Sequence, residues 1–333
     1  MNIYDISEKA GVSIATVSRV LNGNSKVSEK TRQKILDVME ETGYQPNIFA
    51  RGLGLNTMNT IGVMCADSSD LVLAAAVYHV EQELHKYQYD VLLCCTGYET
   101  KEKEKYMNLL RSKRVDAVIL VGSNFIEEDM KQNQYIIETA KEIPVMLVNA
   151  YLDAPNVFCA VCDDRAMMRQ ATEKFLKNKR RVLYLYRSLS YSGRQKIQGV
   201  RDAFENVGIK PEEGQILLIN GTIGDTRKKL EELWEKGERW DVIMTSDDEL
   251  AVGACKFAKT RKLKIPQDLQ ILGYNNSKIS ICSEPEISTV DNHMRDASIL
   301  VVDLLMKILQ KEEVSSKTVV DGEVVLRDTT IDL

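Results

Sequence analysis

The chain has 333 residues, of which 44% are hydrophobic and 28% are charged, and its formal net charge is −5. The length favours two or three domains, and the composition is that of an ordinary globular protein. It excludes a membrane-spanning protein, because no apolar run approaches the roughly 20 residues that a span needs. No basic segment followed by an apolar one opens the chain, so we expect a cytoplasmic protein without a membrane partner.

Seven cysteines are scattered along the chain, mostly inside apolar runs. Their odd number and their placement are typical of buried thiols in a reducing compartment, so we expect no disulfides. Cys159 and Cys162 are three apart in a predicted strand, where they point to opposite faces. His79 and His85 are six apart on one predicted helix, off the i, i+4 spacing of paired metal ligands. We therefore expect no metal site and no cofactor.

The first predicted elements are two short helices joined at Gly11. Gly11 suits the left-handed end of a helix, and Ser13 is a favourable N-cap for a second helix that begins at Ile14. Such a pair is either a helix-turn-helix, whose second helix presents its first residues to base edges, or an ordinary helical hairpin. Each helix has one apolar side, formed by Ile3, Ile6 and Ala10 in the first and by Val17, Val20 and Leu21 in the second.

A third helix is predicted from Glu29 to about Thr42, and its apolar positions would complete a three-helix core. Between Arg19 and Lys34 the chain holds five cations and one carboxylate. This local excess of four positive charges is what contacts with DNA phosphates require, although a solvated helix face can look the same. The charge pattern therefore favours DNA binding without proving it.

From Thr60 onward, short apolar runs alternate with amphipathic segments of helical spacing. The runs are typical of buried parallel strands, and the repeated strand and helix order predicts a doubly wound α/β architecture. Open sheets rarely exceed about ten strands, so we expect two sheets of about six strands each, in two lobes with a cleft between them. Near the end, Asp321-Gly322 between apolar residues predicts a hairpin over 319–325. The predicted strands are 61–65, 91–95, 117–121, 145–148, 158–162, 182–186, 216–219, 242–244 and 269–272.

Motifs along the whole chain resemble those of one protein family. Residues 3–62 carry AGVSIATVSRVLNG, VSEKTRQKI, TGYQPN, FARGL and NTIGV, with which the chain resembles the LacI/GalR family of bacterial transcriptional repressors. The resemblance implies an N-terminal three-helix helix-turn-helix domain plus a hinge helix, followed by a two-lobed, periplasmic-binding-protein-like, doubly wound body. The later motifs that extend the resemblance are DVLLC, RVDAVIL, IPVMLVN, SGRQKIQGVRDAF, SDDELAVGA, IPQDLQILGYN and EISTVDN.

The family's chain crosses three times between the lobes, which the resemblance places near 160, 291 and 323 in this sequence. The implied domains are a helix-turn-helix DNA-binding domain at 1–46, a hinge helix and linker at 47–58, a first lobe at 59–160 plus 292–322, and a second lobe at 161–291 plus 323–333.

The resemblance also implies which residues touch a double-stranded DNA operator. Arg19 is the strongest candidate for direct readout, because its guanidinium can hold O6 and N7 of guanine; the alternative is a phosphate contact. Leu53 of the hinge helix would wedge into the minor groove at the centre of a palindromic site. Gly52 and Gly54 weaken that helix, so we expect it to form only on DNA. The expected contacts of the recognition helix and the residue after it are Ile14, Ala15, Thr16, Ser18, Arg19 and Asn22.

The cleft is the expected site of a small-molecule effector, because ligands of doubly wound folds bind beyond the carboxyl ends of the strands. The chain departs from the family's sugar-binding pattern at Asp70-Leu71-Val72, at Asn275 and at Ile223, where the family has Asn-Pro-aromatic, Asp and an aromatic residue. We expect a carbohydrate-related metabolite, while a small acid, a nucleoside-like ligand or no ligand stay open. The candidate effector-binding residues are Asp70, Asn149, Asp163, Arg194, Asp247 and Asn275, of which Arg194 matches the arginine of the family's S-x-R motif.

The function that these features imply is a homodimeric transcriptional repressor that binds a palindromic operator and is switched by the effector. A regulator controlled by a partner protein, without a small-molecule effector, is the main alternative. A solute-binding protein would lack the helix-turn-helix. An enzyme is not expected, because neither a G-x-S-x-G nucleophile motif nor a phosphate-binding GKS/GKT loop is present. We therefore assign no catalytic residue.

Overall fold

A computed structural model describes residues 2–21, 26–44, 57–178 and 180–331. Two compact units are distinguished, one formed by residues 1–60 with 114–116 and the other by 61–113 with 117–333. Three expectations fall outside the described residues, namely the DNA contact of Asn22, the minor-groove wedge of Leu53 and the helical state of 47–56.

In its described residues the N-terminal unit has three helices, α1 (Ile3–Ala10), α2 (Ile14–Leu21) and α3 (Glu29–Thr42). Gly11 ends α1 in the left-handed conformation, with φ of 61°, as the sequence predicts. Ser28 caps α3 by accepting a hydrogen bond from the amide of Thr31. The expected three-helix core is confirmed, and its buried members are Ile6, Ala10, Val17, Val20 and Ile35.

The larger unit alternates strands and helices. Its helices are α4 (Leu71–Lys86), α5 (Thr100–Ser112), α6 (Gln134–Ala140), α7 (Asp164–Lys177), α8 (Tyr191–Val207), α9 (Ile223–Glu235), α10 (Asp248–Arg261), α11 (Lys278–Cys282) and α12 (Met294–Leu309). Its strands are β1 (Thr60–Cys65), β2 (Asp90–Cys95), β3 (Ala117–Val121), β4 (Val145–Val148), β5 (Val157–Cys162), β6 (Val182–Tyr186), β7 (Ile216–Leu218), β8 (Val242–Thr245), β9 (Gln270–Tyr274), β10 (Ser288–Asp291), β11 (Lys317–Val320) and β12 (Glu323–Val325).

The described strands form two six-stranded sheets, as the sequence predicts. The first sheet has the order β11-β5-β4-β3-β1-β2, and the second has the order β12-β10-β9-β8-β6-β7. In the second sheet β12 runs antiparallel to β10, whereas β6, β7, β8, β9 and β10 pair in parallel. Parallel strands need helical crossovers, which is why the apolar runs alternate with amphipathic helices.

Alternate side chains of the strands pack into different cores. Leu183 and Leu185 of β6 pack with α9 and α10, while Val182 and Tyr184 of the same strand pack with α7 and α8. Helices therefore cover both faces of the second sheet, which is the doubly wound arrangement. The first sheet packs one face against α4 and α12.

The predicted hairpin over 319–325 is wrong. The strand before Asp321 pairs in parallel with β5 of the first sheet, and the strand after Gly322 pairs antiparallel with β10 of the second. The Asp-Gly pair therefore joins two sheets instead of two neighbouring strands. Glycine is required there because a Cβ would lie 2.9 Å from Sγ of Cys162 and 3.0 Å from the carbonyl oxygen of Asp291.

The chain passes from one sheet to the other at three places. Cys162 ends β5 in the first sheet before α7, Asp291 ends β10 in the second sheet before α12, and residues 321–322 separate β11 from β12. The two lobes are thus joined by three segments of the chain, which lie after β5, after β10 and between β11 and β12. In the described ranges no helix is long and apolar enough to cross a membrane.

Candidate functional site

The α2 helix has one buried side and one exposed side. Val17 and Val20 are buried in the three-helix core, while Ile14, Ala15 and Arg19 are exposed. The exposed side therefore combines small or apolar side chains with a guanidinium, a set that can meet thymine methyl groups and guanine acceptors. The structure places these three residues on one accessible surface, and their contact with bases stays a prediction.

The two hydroxyl residues of α2 are half-buried. The Thr16 hydroxyl lies 2.9 Å from the Ser13 hydroxyl, and its amide donates to Ser13 Oγ at 3.2 Å. Ser18 also has a partner within the protein. The contacts between Ser13 and Thr16 fix the start of α2, which is the end that a helix-turn-helix presents to DNA.

Exposed cations lie near α2 in the sequence. Lys26, Lys30 and Lys34 are exposed, and Arg32 is half-buried with Nε 3.7 Å from Glu29. Lysine side chains at the protein surface suit contacts with DNA phosphates. The local positive charge that the sequence predicts is therefore at the surface.

A cavity of about 420 Å³ lies in the larger unit, at the carboxyl ends of strands from both sheets. Four of the six candidate effector residues line it: Asp70, Asn149, Asp247 and Asn275. Asn149 and Asn275 follow β4 and β9 directly and have positive φ angles of 62° and 92°. Asparagine tolerates this conformation better than most residues, so the chain can turn sharply there and leave the amide groups at the cavity.

Asp70 and Asp247 each cap a helix that starts at the cavity. Oδ1 of Asp70 accepts hydrogen bonds from the amides of Val72 and Leu73, at 2.9 and 3.0 Å. Oδ1 of Asp247 accepts from the amide of Leu250 at 3.0 Å. Each carboxylate is thereby held by the N-terminus of a helix, α4 or α10, where a negative charge is favourable.

Arg187 is held in the cavity wall by acceptor atoms of three residues. Its Nε and Nη2 atoms each lie 3.2 Å from an oxygen of Asp247, and Nη2 also lies 3.1 Å from Oε2 of Glu249. Nη1 donates to the carbonyl oxygen of Gly221 at 2.8 Å. One cation thus lies between two carboxylates, and all of these groups are pre-positioned around the cavity.

Two further ionisable groups line the cavity but are buried. Lys196 Nζ donates to the carbonyl oxygen of Ser246 at 3.0 Å and lies 3.7 Å from the centre of the Tyr274 ring. Burial lowers the pKa of the Lys196 amine, while Asp164 and other carboxylates raise it. Asp248 accepts hydrogen bonds from Ser277 and Thr289, yet burial raises the pKa of its carboxyl to about 6.

The structure places the other two candidates, Asp163 and Arg194, outside this cavity. Oδ1 of Asp163 caps α7 by accepting from the amide of Ala166 at 2.9 Å, so the carboxylate is engaged elsewhere. The guanidinium of Arg194 donates to the carbonyl oxygens of Leu189 at 2.6 Å and Ile126 at 3.3 Å. Arg194 therefore bridges two backbone segments in this structure and does not face the cavity.

The aromatic side chain of the cavity comes from an unexpected position. Leu71 and Val72, which replace the family's Pro-aromatic pair, do line the cavity, whereas Ile223 does not. Among the described lining residues Tyr98 is the one aromatic side chain, and it is 55% exposed. The chain lacks the family's aromatic residues at Val72 and Ile223, and Tyr98, in the loop after β2, supplies an aromatic side chain instead.

Sequence reasoning missed Arg187, Lys196, Glu249 and Tyr98. Arg187 follows the apolar run of β6 directly, just as Asn149 follows β4, so the rule that found Asn149 could have found it. Lys196 lies within α8 and Tyr98 lies three residues after β2, where no periodicity indicates a ligand site. Lys196 and Tyr98 could therefore be identified as lining residues only from the folded structure.

The chain thus has a small helical unit in which α2 exposes one side, and a body of two mainly parallel sheets with a polar cavity at their carboxyl ends. Residues 2–47 match the family model described as bacterial regulatory proteins of the lacI family. Residues 58–323 match the model of periplasmic binding proteins and the sugar-binding domain of the LacI family. The chain belongs to the LacI family and is a DNA-binding transcriptional regulator; the family's members are not enzymes.

The relatives agree with this assignment. An HTH-type transcriptional regulator of Lachnoclostridium phytofermentans is 50% identical over 331 residues, which cover 99% of both chains. Catabolite control protein A of Priestia megaterium is 29% identical over 324 residues, 96% of each chain.

Solved structures share the fold at lower identity. The Lac repressor dimer bound to operator and the anti-inducer ONPF is 21% identical, with a TM-score of 0.87 over 99% of both chains. The complex of the transcriptional regulator CelR with cellobiose is 22% identical, with a TM-score of 0.71 over 99% of both chains.

Proposed function

We propose that this protein is a homodimeric repressor that binds a palindromic operator in the cytoplasm and is switched by a small hydroxyl-rich molecule in the cavity of its two-lobed body. The observation that carries the proposal is the polar cavity at the carboxyl ends of both sheets. In the same chain, α2 exposes Ile14, Ala15 and Arg19 for contact with DNA. Operator binding and ligand binding therefore each have a surface of suitable chemistry.

The DNA side of the proposal rests on α2 and on symmetry. One α2 helix offers few base contacts, so a single unit would bind weakly and with little specificity. Two units related by a two-fold axis would read two half-sites, and the operator would show the same symmetry. Asn22 and Leu53 are proposed as additional contacts on the basis of the family resemblance, at the end of α2 and in the minor groove. The proposed division into domains keeps 1–46 as the DNA-binding part.

The effector side rests on the cavity lining. Carboxylate, amide, guanidinium and hydroxyl groups all line the cavity, so a ligand with many hydroxyl groups can both donate and accept hydrogen bonds there. Tyr98 adds one flat apolar face on which the less polar face of a ring can lie. This combination favours a carbohydrate-related metabolite. We propose Asp70, Asn149, Asp247 and Asn275 as direct contacts.

The switch is proposed to be a change in the angle between the lobes. Each lobe contributes part of the cavity wall, so a ligand that fits one lobe arrangement better shifts the population toward it. The three strand connections near 162, 291 and 321 are where such a change would occur. Dimer contacts would carry it to the paired DNA-binding units.

The proposal is tested by selecting bound DNA from a random pool with the purified full-length protein. We expect enrichment of a palindrome with two equal half-sites, and light scattering of the complex should give two chains per DNA. Failure to enrich any palindrome would remove the DNA-binding proposal. A selected site without two-fold symmetry would remove the dimer.

A panel of neutral sugars, amino sugars, sugar phosphates, nucleosides and small carboxylic acids tests the effector side by thermal unfolding. Ligands that bind only the folded state raise the unfolding temperature with concentration. A hydroxyl-rich compound should raise it and change the affinity for the selected operator. Intact operator binding without a shift from any compound would favour control by a partner protein.

A further inference from the structure

Two cysteines lie side by side at the ends of neighbouring strands of the first sheet. Cys65 is the last residue of β1, Cys95 is the last residue of β2, and their Sγ atoms are 3.8 Å apart. The amide of Thr96, directly after Cys95, donates to the carbonyl oxygen of Cys65 at 2.9 Å. This hydrogen bond sets the register that brings the two thiols to the same face of the sheet.

The spacing of the strands suits a covalent bond between these thiols. Neighbouring strands lie about 4.7–4.9 Å apart, and disulfides join residues whose Cα atoms are about 4.4–6.8 Å apart. The sulfur atoms would have to approach each other by somewhat less than 2 Å to reach the bond length of about 2.0 Å. Side-chain rotation with a small strand adjustment can provide this movement.

The two thiols differ in their access to solvent. Cys95 is exposed, whereas Cys65 is fully buried. Burial, together with Cys95 and Asp67 beside it, raises the pKa of the Cys65 thiol to about 12. An oxidant therefore meets Cys95 first, and Cys65 is the second thiol that can react with it. The adjacent Cys94 is also buried but points to the opposite face of the sheet.

We propose that Cys65 and Cys95 are a redox-modification site, at which a hydroperoxide produces an intramolecular disulfide that holds one wall of the cavity in place. The thiolate sulfur of Cys95 attacks the hydroperoxide and becomes a sulfenic acid, and the peroxide is reduced to an alcohol or to water. The Cys65 sulfur then attacks the sulfenic sulfur, so that an S–S bond forms and the hydroxyl group leaves as water. A dithiol reductant reverses the bond by thiol–disulfide exchange.

The position of the pair links it to the cavity. The segment after Cys65 leads within five residues to Asp70, and the segment after Cys95 leads within three residues to Tyr98. Both of these residues line the cavity. A bond between the two strand ends would fix the starts of both segments relative to each other. Its effect on a bound effector rests on the proposed function, whereas the bond itself does not.

The bond is tested by treating the reduced full-length protein with hydrogen peroxide, alkylating the remaining thiols and mapping the peptides by mass spectrometry under non-reducing conditions. We expect five alkylated cysteines of the seven and one linked pair of peptides that contain Cys65 and Cys95. Cys94→Ser is the matched control and should form the same link. Cys95→Ser, at an exposed position, and Cys65→Ala, at a buried one, should form none.

Three results would overturn this part of the proposal. They are full alkylation of Cys65 and Cys95 after peroxide, a link that joins two chains on a non-reducing gel, and an undiminished link in the Cys95→Ser protein. Because Cys95→Ser changes an exposed side chain, its folding can be verified by an unchanged unfolding temperature in the reduced state. None of these readouts depends on DNA or on an effector.

Hydrogen exchange tests the effect on the cavity wall. In the wild-type protein, oxidation should slow amide exchange at least threefold in residues 66–70 and 96–98, and a dithiol reductant should restore the original rates. The Cys95→Ser protein should show no such change with peroxide. A linked wild-type protein whose exchange in these segments is unchanged would contradict the claim that the bond holds the wall.

Discussion

Arg187 and Asp247 face each other in the cavity wall through two parallel contacts, Nε to Oδ2 and Nη2 to Oδ1, each 3.2 Å long. Arg187 also contacts Glu249 and the carbonyl oxygen of Gly221, so these protein groups fix the position of its guanidinium. Asp247 is fixed in turn by the N-terminus of α10. The pair therefore presents a ligand with groups that are already oriented, which lowers the entropic cost of binding.

Arg187→Met should weaken binding of any effector that the metabolite panel identifies. The change leaves Asp247 and Glu249 close together without their shared cation, so both can move away from the ligand. Hydrogen bonds to charged groups contribute about 1.5–3 kcal/mol, which corresponds to roughly a tenfold to hundredfold loss of affinity. Titration calorimetry measures this loss. Arg169→Met is the control, because Arg169 is half-buried on α7 beside Glu173 and does not line the cavity. Equal affinities of the two variants would contradict the role of Arg187.

Arg19→Ala should weaken binding to the selected operator and relax the preference at one base pair in each half-site. A guanidinium that holds two guanine acceptors contributes about 1–3 kcal/mol of discrimination. Competition binding with operators changed at single positions measures both effects. Lys30→Ala is the comparison, because an exposed lysine near phosphates should weaken binding to every sequence equally. If Arg19→Ala also weakened binding to every sequence equally, Arg19 would contact a DNA phosphate and not a base.

Gly199→Ala should destabilise the second lobe by about 1–3 kcal/mol, because added volume in a close-packed contact forces the neighbours apart. A Cβ on Gly199 of α8 would lie 2.2 Å from the carbonyl oxygen of Arg165 on α7, so the two helices would have to separate. Urea unfolding measures the change in the free energy of unfolding. Gly224→Ala on α9 is the control: its nearest neighbour is 3.5 Å away, and it should be neutral or stabilising by up to about 1 kcal/mol. Equal stabilities would refute this close contact.

Asp248 should make the protein less stable as the pH rises from about 4 to about 6. Burial raises the pKa of its carboxyl to about 6 in the folded protein, against an ordinary value of 3.8. The folded state therefore binds the proton more tightly than the unfolded state, and its advantage is present at low pH and is lost as the pH passes the folded pKa. The unfolding free energy of wild type relative to Asp248→Asn should fall by about 2 kcal/mol between pH 4.5 and 6.5.

Urea unfolding of both proteins at the two pH values measures this difference. The comparison cancels other titrating groups, because only Asp248 differs between the two chains. The prediction would be contradicted if the unfolding free energy of wild type relative to Asp248→Asn stayed constant or increased as the pH rises. Ser277 and Thr289 would then stabilise the buried carboxylate in its charged form.

Local sequence patterns were sufficient to predict the three helices of the N-terminal unit and the alternation of strands and helices in the larger unit. Helix periodicity, Gly11 and the Ser13 cap predicted the N-terminal helices and their turn, because these features act over a few neighbouring residues. The two sheets of about six strands followed from the number of apolar runs. The Asp-Gly signal failed at Asp321-Gly322, because the same turn chemistry also suits a connection between two sheets.

The composition of the cavity depended on contacts between residues far apart in the chain. Asn149 and Asp247 were predicted because each follows a strand, but Arg194, which a motif indicated, donates to backbone carbonyls away from the cavity. Tyr98 reaches the cavity from a loop that has no sequence signal. Local patterns do not determine where a long side chain ends, since its direction depends on which acceptors the rest of the fold provides.

By itself, the sequence determined the helix-turn-helix, the alternation of strands and helices in the body and the class of regulator, because periodicity, capping and family motifs depend on neighbouring residues. The strand Ser288–Asp291 was not predicted. Only the tertiary structure decided that Arg187 and not Arg194 lines the cavity, that Tyr98 supplies its aromatic face and that Cys65 lies beside Cys95. These three relationships join residues from different strands and loops. They arise from strand register and from packing of the two sheets, which no local pattern encodes.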